Sequence, residues 1–194
     1  MLFLVTHAHT QQKKEADATR WDLSDGGRAQ AEALARLPFW DGVDRIVLSS
    51  EPKTRLTVAP VLATTKIAMT VDPRYDELRR GSGWVGDYGA RVAEVFAHPD
   101  RSIGGWESAD DALARFLEGI HALADAFPRE TIALVGHGLT FSLFRAHLLG
   151  KAQVDFAEWQ RLSFCAVAEV EWPGLTLAQD FLPVLGAPQI ERTG

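Results

Sequence analysis

Residues 2–10 read Leu-Phe-Leu-Val-Thr-His-Ala-His-Thr. Four apolar residues, Leu2 to Val5, run straight into a polar segment carrying two histidines. A short, wholly apolar run that ends this way fits a buried parallel strand emptying into a loop. In open α/β sheets, ligands bind in such loops beyond the carboxyl ends of the strands. A histidine there can present a ring nitrogen to a substrate at neutral pH. Taken alone, His7 and His9 read more simply as ordinary polar loop residues, and the rest of the chain decides between the two.

The pattern recurs twice. Arg45–Leu48 is a short apolar strand that stops at Ser49-Ser50-Glu51-Pro52-Lys53, and Thr131–Val135 runs into Gly136-His137-Gly138. Ile67–Val71 reads as a further strand. Phe164–Glu171 and Leu175–Leu182 read as two more, joined as a hairpin across Pro173-Gly174. Helices are expected between them. Ser24 serves as an N-cap with Asp25 in the first turn, and one helix spans about Pro52 to Thr64. Another begins at Ser108 and buries Leu113, Phe116, Leu117, Ile120 and Ala124, and Leu139–Leu149 is apolar nearly all round. This alternation predicts an α/β fold in three layers, a central and mostly parallel sheet with helices on both faces.

The 194 residues suit one domain, 1–194, interrupted by an excursion over 72–107 that carries Trp84 and Trp106. Its aromatic content favours an ordered lid, with a helical patch near Ala90–Ala97. Gln11–Asp22 reads as a loop covering the mouth of the first strand. A net charge of −6 argues against a nucleic-acid surface. Cys165 is the only cysteine, which rules out an intrachain disulfide or a thiolate cage and suggests a core residue in mid-strand. The opening LFLV is short for a signal peptide, and no run of about 18 apolar residues occurs, so a cytoplasmic protein without membrane contact is expected. The sequence is silent on oligomeric state.

If the strands ending near His7, Ser49 and His137 are neighbours, two imidazoles and the Lys53 ammonium meet at one sheet edge. Such donors suit a phosphoryl group: one neutral imidazole can attack phosphorus while the others stabilise the equatorial oxygens. Glu77, in Tyr75-Asp76-Glu77-Leu78, is the candidate acid for the leaving oxygen. Thr6 and Thr10 join Lys53 as candidate substrate-binding residues.

These segments, in this order, resemble the histidine phosphatase superfamily, in its phosphoglycerate mutase-like branch. LVTHAHT is similar to the opening strand and its R-H-G or R-H-A signature. LSDGGRAQAEALA resembles the L-T-x-x-G-x-x-Q-A helix, and SSEPKTRLT resembles the S-S-x-x-x-[RK]-x-x-x-T segment with one position fewer between the serines and the cation, Lys53. Glu77 followed by Gly81 matches E-x-x-x-G, and LVGHG is close to the second V-x-H-G signature. The resemblance implies a metal-independent phosphomonoester hydrolase without a cofactor, acting on a small phosphorylated metabolite. His7 would form a phosphohistidine, Glu77 would act as acid and then base, His137 would hold a phosphoryl oxygen and Lys53 would supply charge.

One departure matters. Thr6 stands where the family carries arginine, and a hydroxyl cannot replace a charged, bidentate fork. Losing one such stabiliser costs on the order of 3 kcal/mol at the transition state. Two outcomes stay open, an attenuated phosphatase and a phosphate-ester-binding domain of the same fold without turnover. Arg79 and Arg80 read as solvated arginines, with the alternative that one reaches in and compensates. A phosphoglycerate mutase ranks lower. So does a metal-dependent hydrolase built on His7-x-His9, because only His137 follows at a later strand end.

Overall fold

The computed structural model describes residues 1–81 and 83–190, so Ser82 in the excursion and the last four positions of the expected domain lie outside the described residues. Each apolar run becomes a strand: β1 (Leu2–Thr6), β2 (Arg45–Leu48), β3 (Ala68–Val71), β4 (Ile132–Gly136), β5 (Ala166–Glu171) and β6 (Thr176–Pro183). They form one sheet in the order β3-β2-β4-β1-β5-β6. The pairs β1/β4, β4/β2 and β2/β3 are parallel, while β5 and β6 add antiparallel at one side.

Successive residues of a strand face opposite ways, and in β1, β2 and β4 both faces are dry. Phe3 and Val5 join Ile46, Leu48 and Val135 beneath α1 (Asp25–Leu34), α2 (Pro52–Thr57) and α3 (Ala59–Thr64), packed against Leu34 of α1, Val61 of α3 and Val58 at the α2–α3 junction. Leu2 and Leu4 pack on the other face, against Phe116 and Ile120 of α5 (Ala109–Ala126) and Phe141 and Phe144 of α6 (Gly138–Leu148). Fully burying one such side chain stabilises the fold by about 1.5–3 kcal/mol, so β1, β2 and β4 are fixed mainly by this two-sided packing. A third cluster lies under the excursion. There Leu78, Trp106, and Val92 and Phe96 of α4 (Tyr88–Ala97) meet Leu139 and Trp159, the latter from α7 (Phe156–Arg161).

Three expectations need correction. The helix foreseen over Pro52–Thr64 is two helices that meet at Val58 (φ −102°, ψ 6°). Pro60 lacks an N–H and its ring excludes a continuous helix through the preceding turn. Cys165 is buried, as foreseen, but precedes β5 instead of lying within it, with a left-handed φ of 52°. Helix α7, with Asp155 accepting from Ala157 N–H and Glu158 N–H, was not foreseen.

The sheet order settles what meets what. Strand β4 sits between β1 and β2, with Thr6 opposite Gly136 and Leu48 opposite Val135. Residues 7, 49 and 137 therefore leave the sheet side by side.

Candidate active site

The loop after β1 is held by side chains from two helices. Gly27 packs α1 directly on it, since a Cβ there would lie 2.0 Å from the His9 carbonyl oxygen. From the same helix Gln30 Oε1 accepts the His9 N–H (2.9 Å), and Ser24 Oγ bonds His9 Nδ1 (2.8 Å). Thr57 Oγ1 of α2 accepts the Ala8 N–H (2.8 Å) and donates to the Lys53 carbonyl (2.8 Å). The glycine, glutamine and threonine of the sequence motifs thus act by fixing backbone around His7.

His7 Nδ1 lies 2.7 Å from the Ala8 carbonyl oxygen. A carbonyl only accepts, so Nδ1 carries the proton, and when the ring is neutral Nε2 holds the lone pair. The His137 ring stands edge-on to it at 5.3 Å. His137 is fully buried, and burial followed by the charges of Lys53, Arg80 and Arg115 holds its pKa well below the ordinary histidine value. Its Nε2 is 2.8 Å from Ser49 Oγ, and its Nδ1 has no hydrogen-bond partner among the described residues. With the Ser49 hydroxyl donating to His137 Nε2, the neutral ring carries its proton on the unpartnered Nδ1. The arrangement offers a nucleophilic nitrogen beside a neutral donor.

Glu77 is buried at 8 % exposure, not a solvated loop carboxylate. Its Oε1 accepts from Leu78 N–H (3.0 Å) and Thr140 N–H (3.1 Å), and its Oε2 from Leu139 N–H (3.1 Å). Helix α6 has no capping side chain of its own, so Glu77 caps it from another segment. Arg115 fixes that segment, donating to the carbonyls of Arg74 (2.8 Å) and Asp76 (3.1 Å) while paired with Glu107 at 2.8 Å.

Lys53 and Thr6 are both otherwise engaged. Lys53 Nζ lies 2.7 Å from Glu51 Oε2 and donates to the Ala18 carbonyl at 2.7 Å. Glu51 in turn accepts the Glu77 N–H (3.0 Å) through Oε1, which is 3.6 Å from His137 Nε2. Thr6 Oγ1 donates to the Ser163 carbonyl (2.9 Å) and accepts the Ala166 N–H (2.8 Å), so its hydroxyl faces the turn before β5.

His7, Thr10, Lys53, Glu77 and His137 line one cavity of about 600 Å³; Thr6 does not. The loop over 16–21 and the excursion form its outer walls, with Trp84 on the cavity and Trp106 buried behind it. The sequence missed Ser49, Glu51, Thr57 and Arg115, although Thr57 stood in a matched motif. His9 rests against Phe164 (5.0 Å) with its Nδ1 bonded to Ser24 Oγ. Among the described residues no group of three or more His, Cys, Asp or Glu is placed to hold a metal ion, and no helix is long and apolar enough to cross a membrane.

A mixed six-stranded sheet with two histidines facing each other at adjacent strand ends defines an α/β protein of the phosphoglycerate mutase-like kind. The model of the histidine phosphatase superfamily (branch 1) matches residues 2–178, and the chain belongs to that family. No curated protein matches the sequence at a significant level. Among solved structures the chain is similar to YhfR of Bacillus stearothermophilus, with TM-score 0.75, 19 % identity and coverage of 96 % of this chain and 98 % of that one. It is also similar to a mycobacterial glucosyl-3-phosphoglycerate phosphatase solved with VO3 (TM-score 0.72, 23 % identity, 94 % and 98 % covered). A third is the alpha-ribazole phosphatase of Shigella flexneri (TM-score 0.71, 19 % identity, 96 % and 98 % covered).

Proposed function

We propose that this protein hydrolyses a phosphomonoester through a phosphohistidine, without a metal or other cofactor. His7 Nε2 attacks phosphorus, forming the N–P bond as the ester P–O bond breaks. Glu77 gives its proton to the departing oxygen. Water then attacks the phosphoryl group, Glu77 takes back a proton, and inorganic phosphate leaves with His7 restored. His137 donates from Nδ1 to a phosphoryl oxygen during both steps. The observation that carries this reading is the His7 ring, its Nδ1 tied to the Ala8 carbonyl and its plane set 5.3 Å from the His137 ring.

The cavity of about 600 Å³ exceeds what a three-carbon phosphate ester fills, which favours a larger metabolite and counts against a mutase for phosphoglycerate. The 72–107 excursion, through Trp84 and Tyr88 on the cavity, selects the leaving group. A second reading, ester binding without turnover, is favoured by the Glu51–Lys53 pair, which cancels one cation in the pocket. Single-turnover reaction with a radiolabelled phosphomonoester distinguishes the two. Acid-labile label on the wild type and none on His7→Ala supports hydrolysis; an ester that binds but leaves no label supports the second reading. Equal turnover by wild type and His7→Ala on every ester tried rejects chemistry at this site.

A further inference from the structure

The pocket has lost the family's arginine at position 6, and its lysine is already paired. Among the described residues lining the cavity, the cationic side chains that are not solvent-exposed are Lys53 and Arg80. Arg80 differs from Lys53 in having no hydrogen-bond or ion-pair partner among the described residues. Its guanidinium lies over two aromatic rings: the central carbon stands 5.3 Å from the Tyr88 ring centre and 5.6 Å from that of Trp106. Cation–π contact of this kind holds a guanidinium without consuming its N–H donors. Trp106 is itself immobile, 2 % exposed in the cluster beneath the excursion. A guanidinium whose N–H donors are unclaimed can bind two oxygens of a phosphoryl group at once.

The electrostatics agree with that placement. Burial works against the charge on Arg80, but Tyr88, Glu77, Glu51 and Asp17 outweigh it, so the guanidinium stays protonated. Arg80 lines the same cavity as His7 and His137, and its charge is among those that depress His137. Arg79, one residue earlier, is exposed, and its backbone is tied to Glu107 through N–H and carbonyl.

We propose that Arg80, delivered from the excursion, supplies the bidentate guanidinium for the phosphoryl group that the strand-borne arginine supplies elsewhere in the family. The proposal rests on the phosphatase reading. It makes the excursion part of the charge-stabilising apparatus, so that substrate choice and phosphoryl binding are built on one segment.

The test compares Arg80→Ala and Arg80→Lys with wild type, using p-nitrophenyl phosphate turnover and orthovanadate binding by calorimetry. Arg91→Ala is the control, since Arg91 also stands over Trp106 (5.9 Å) but off this cavity. Thermal unfolding checks that each variant is folded. Arg80→Ala is expected to lose about a hundredfold in kcat/KM, the usual effect of removing one oxyanion donor. Vanadate affinity falls at least tenfold, Lys restores little, Arg91→Ala matches wild type, and guanidinium ion, but not ammonium ion at equal ionic strength, partly rescues the Ala variant. Arg80→Ala within threefold of wild type in both rate and vanadate affinity overturns the proposal, as does full activity in Arg80→Lys. If wild type neither turns over nor labels His7, the hydrolytic reading fails by itself. Vanadate affinity then decides the role of Arg80, a loss in Arg80→Ala supporting it and no change overturning it.

Discussion

Removing the Glu77 carboxylate should unfold part of the site as well as stop its chemistry. Three backbone donors, Leu78 N–H, Leu139 N–H and Thr140 N–H, end on its two oxygens. Two of them belong to the first turn of α6, which has no other side-chain cap. A buried donor left unsatisfied costs about 1–3 kcal/mol, so three would cost about 3–9 kcal/mol. The carboxylate retains 8 % exposure on a cavity, which lets water reach part of the space and brings Glu77→Ala to about 3–5 kcal/mol. Glu77→Gln can keep a carbonyl oxygen at the Oε1 position, serving Leu78 and Thr140, but turns an amide N–H₂ toward Leu139 N–H. That variant should lose only about 1–3 kcal/mol. Urea unfolding followed by circular dichroism reads both numbers, provided the slope with denaturant is unchanged. Both variants should also lose turnover, since neither can deliver a carboxylic proton. Glu77→Ala within about 1 kcal/mol of wild type would refute the capping argument.

Thr6→Arg, which would restore the family signature, should lower stability by about 1–3 kcal/mol, because Ala166 N–H then has no acceptor, and should leave turnover unimproved; Tm and kcat measure the two effects. Stability should also fall as pH drops from 7 to 5. The buried His137 ring stays neutral in the folded state while the unfolded chain takes up a proton below about pH 6.5, so unfolding binds protons there and costs the fold up to about 1.4 kcal/mol per pH unit. His9, depressed by burial in the same direction, adds to this slope, and His137→Gln should flatten it in unfolding curves taken across that range. Burial pushes the Cys165 thiol up to about 12, so at pH 8 a thiol reagent should label the native protein only as fast as it opens, but the denatured chain at once. Labelling of native protein within the mixing time would contradict the buried position.

Much of this was legible in the sequence because β1, β2 and β4 are buried on both faces. Each is therefore a continuous apolar run, and where the run stops, the site begins. His7 and His137 could be read off those endings without knowing the sheet order. The motif marks Glu77, which lines the cavity, but its capping of α6 is not legible, because that helix lies 62 and 63 positions downstream. Ser49 and Glu51 escaped notice for the same reason: the Ser49 partner is 88 positions away, and the Glu51 role depends on the Glu77 N–H 26 positions on. Thr6 was taken as a ligand because of where it stands in the chain. Only the antiparallel docking of β5 on β1 brings residues 163–166 beside it and claims its hydroxyl. Helix α7 was missed because six residues give too little periodicity to see.

The Thr6 hydroxyl is a splice between the first strand and the turn ahead of the fifth. A side chain at position 6 that cannot both give a hydrogen to Ser163 and take one from Ala166 opens that splice before it can reach the cavity. What residue 6 can be is thus set by the joinery of the sheet, and the charge of the cavity has to be adjusted from its other walls.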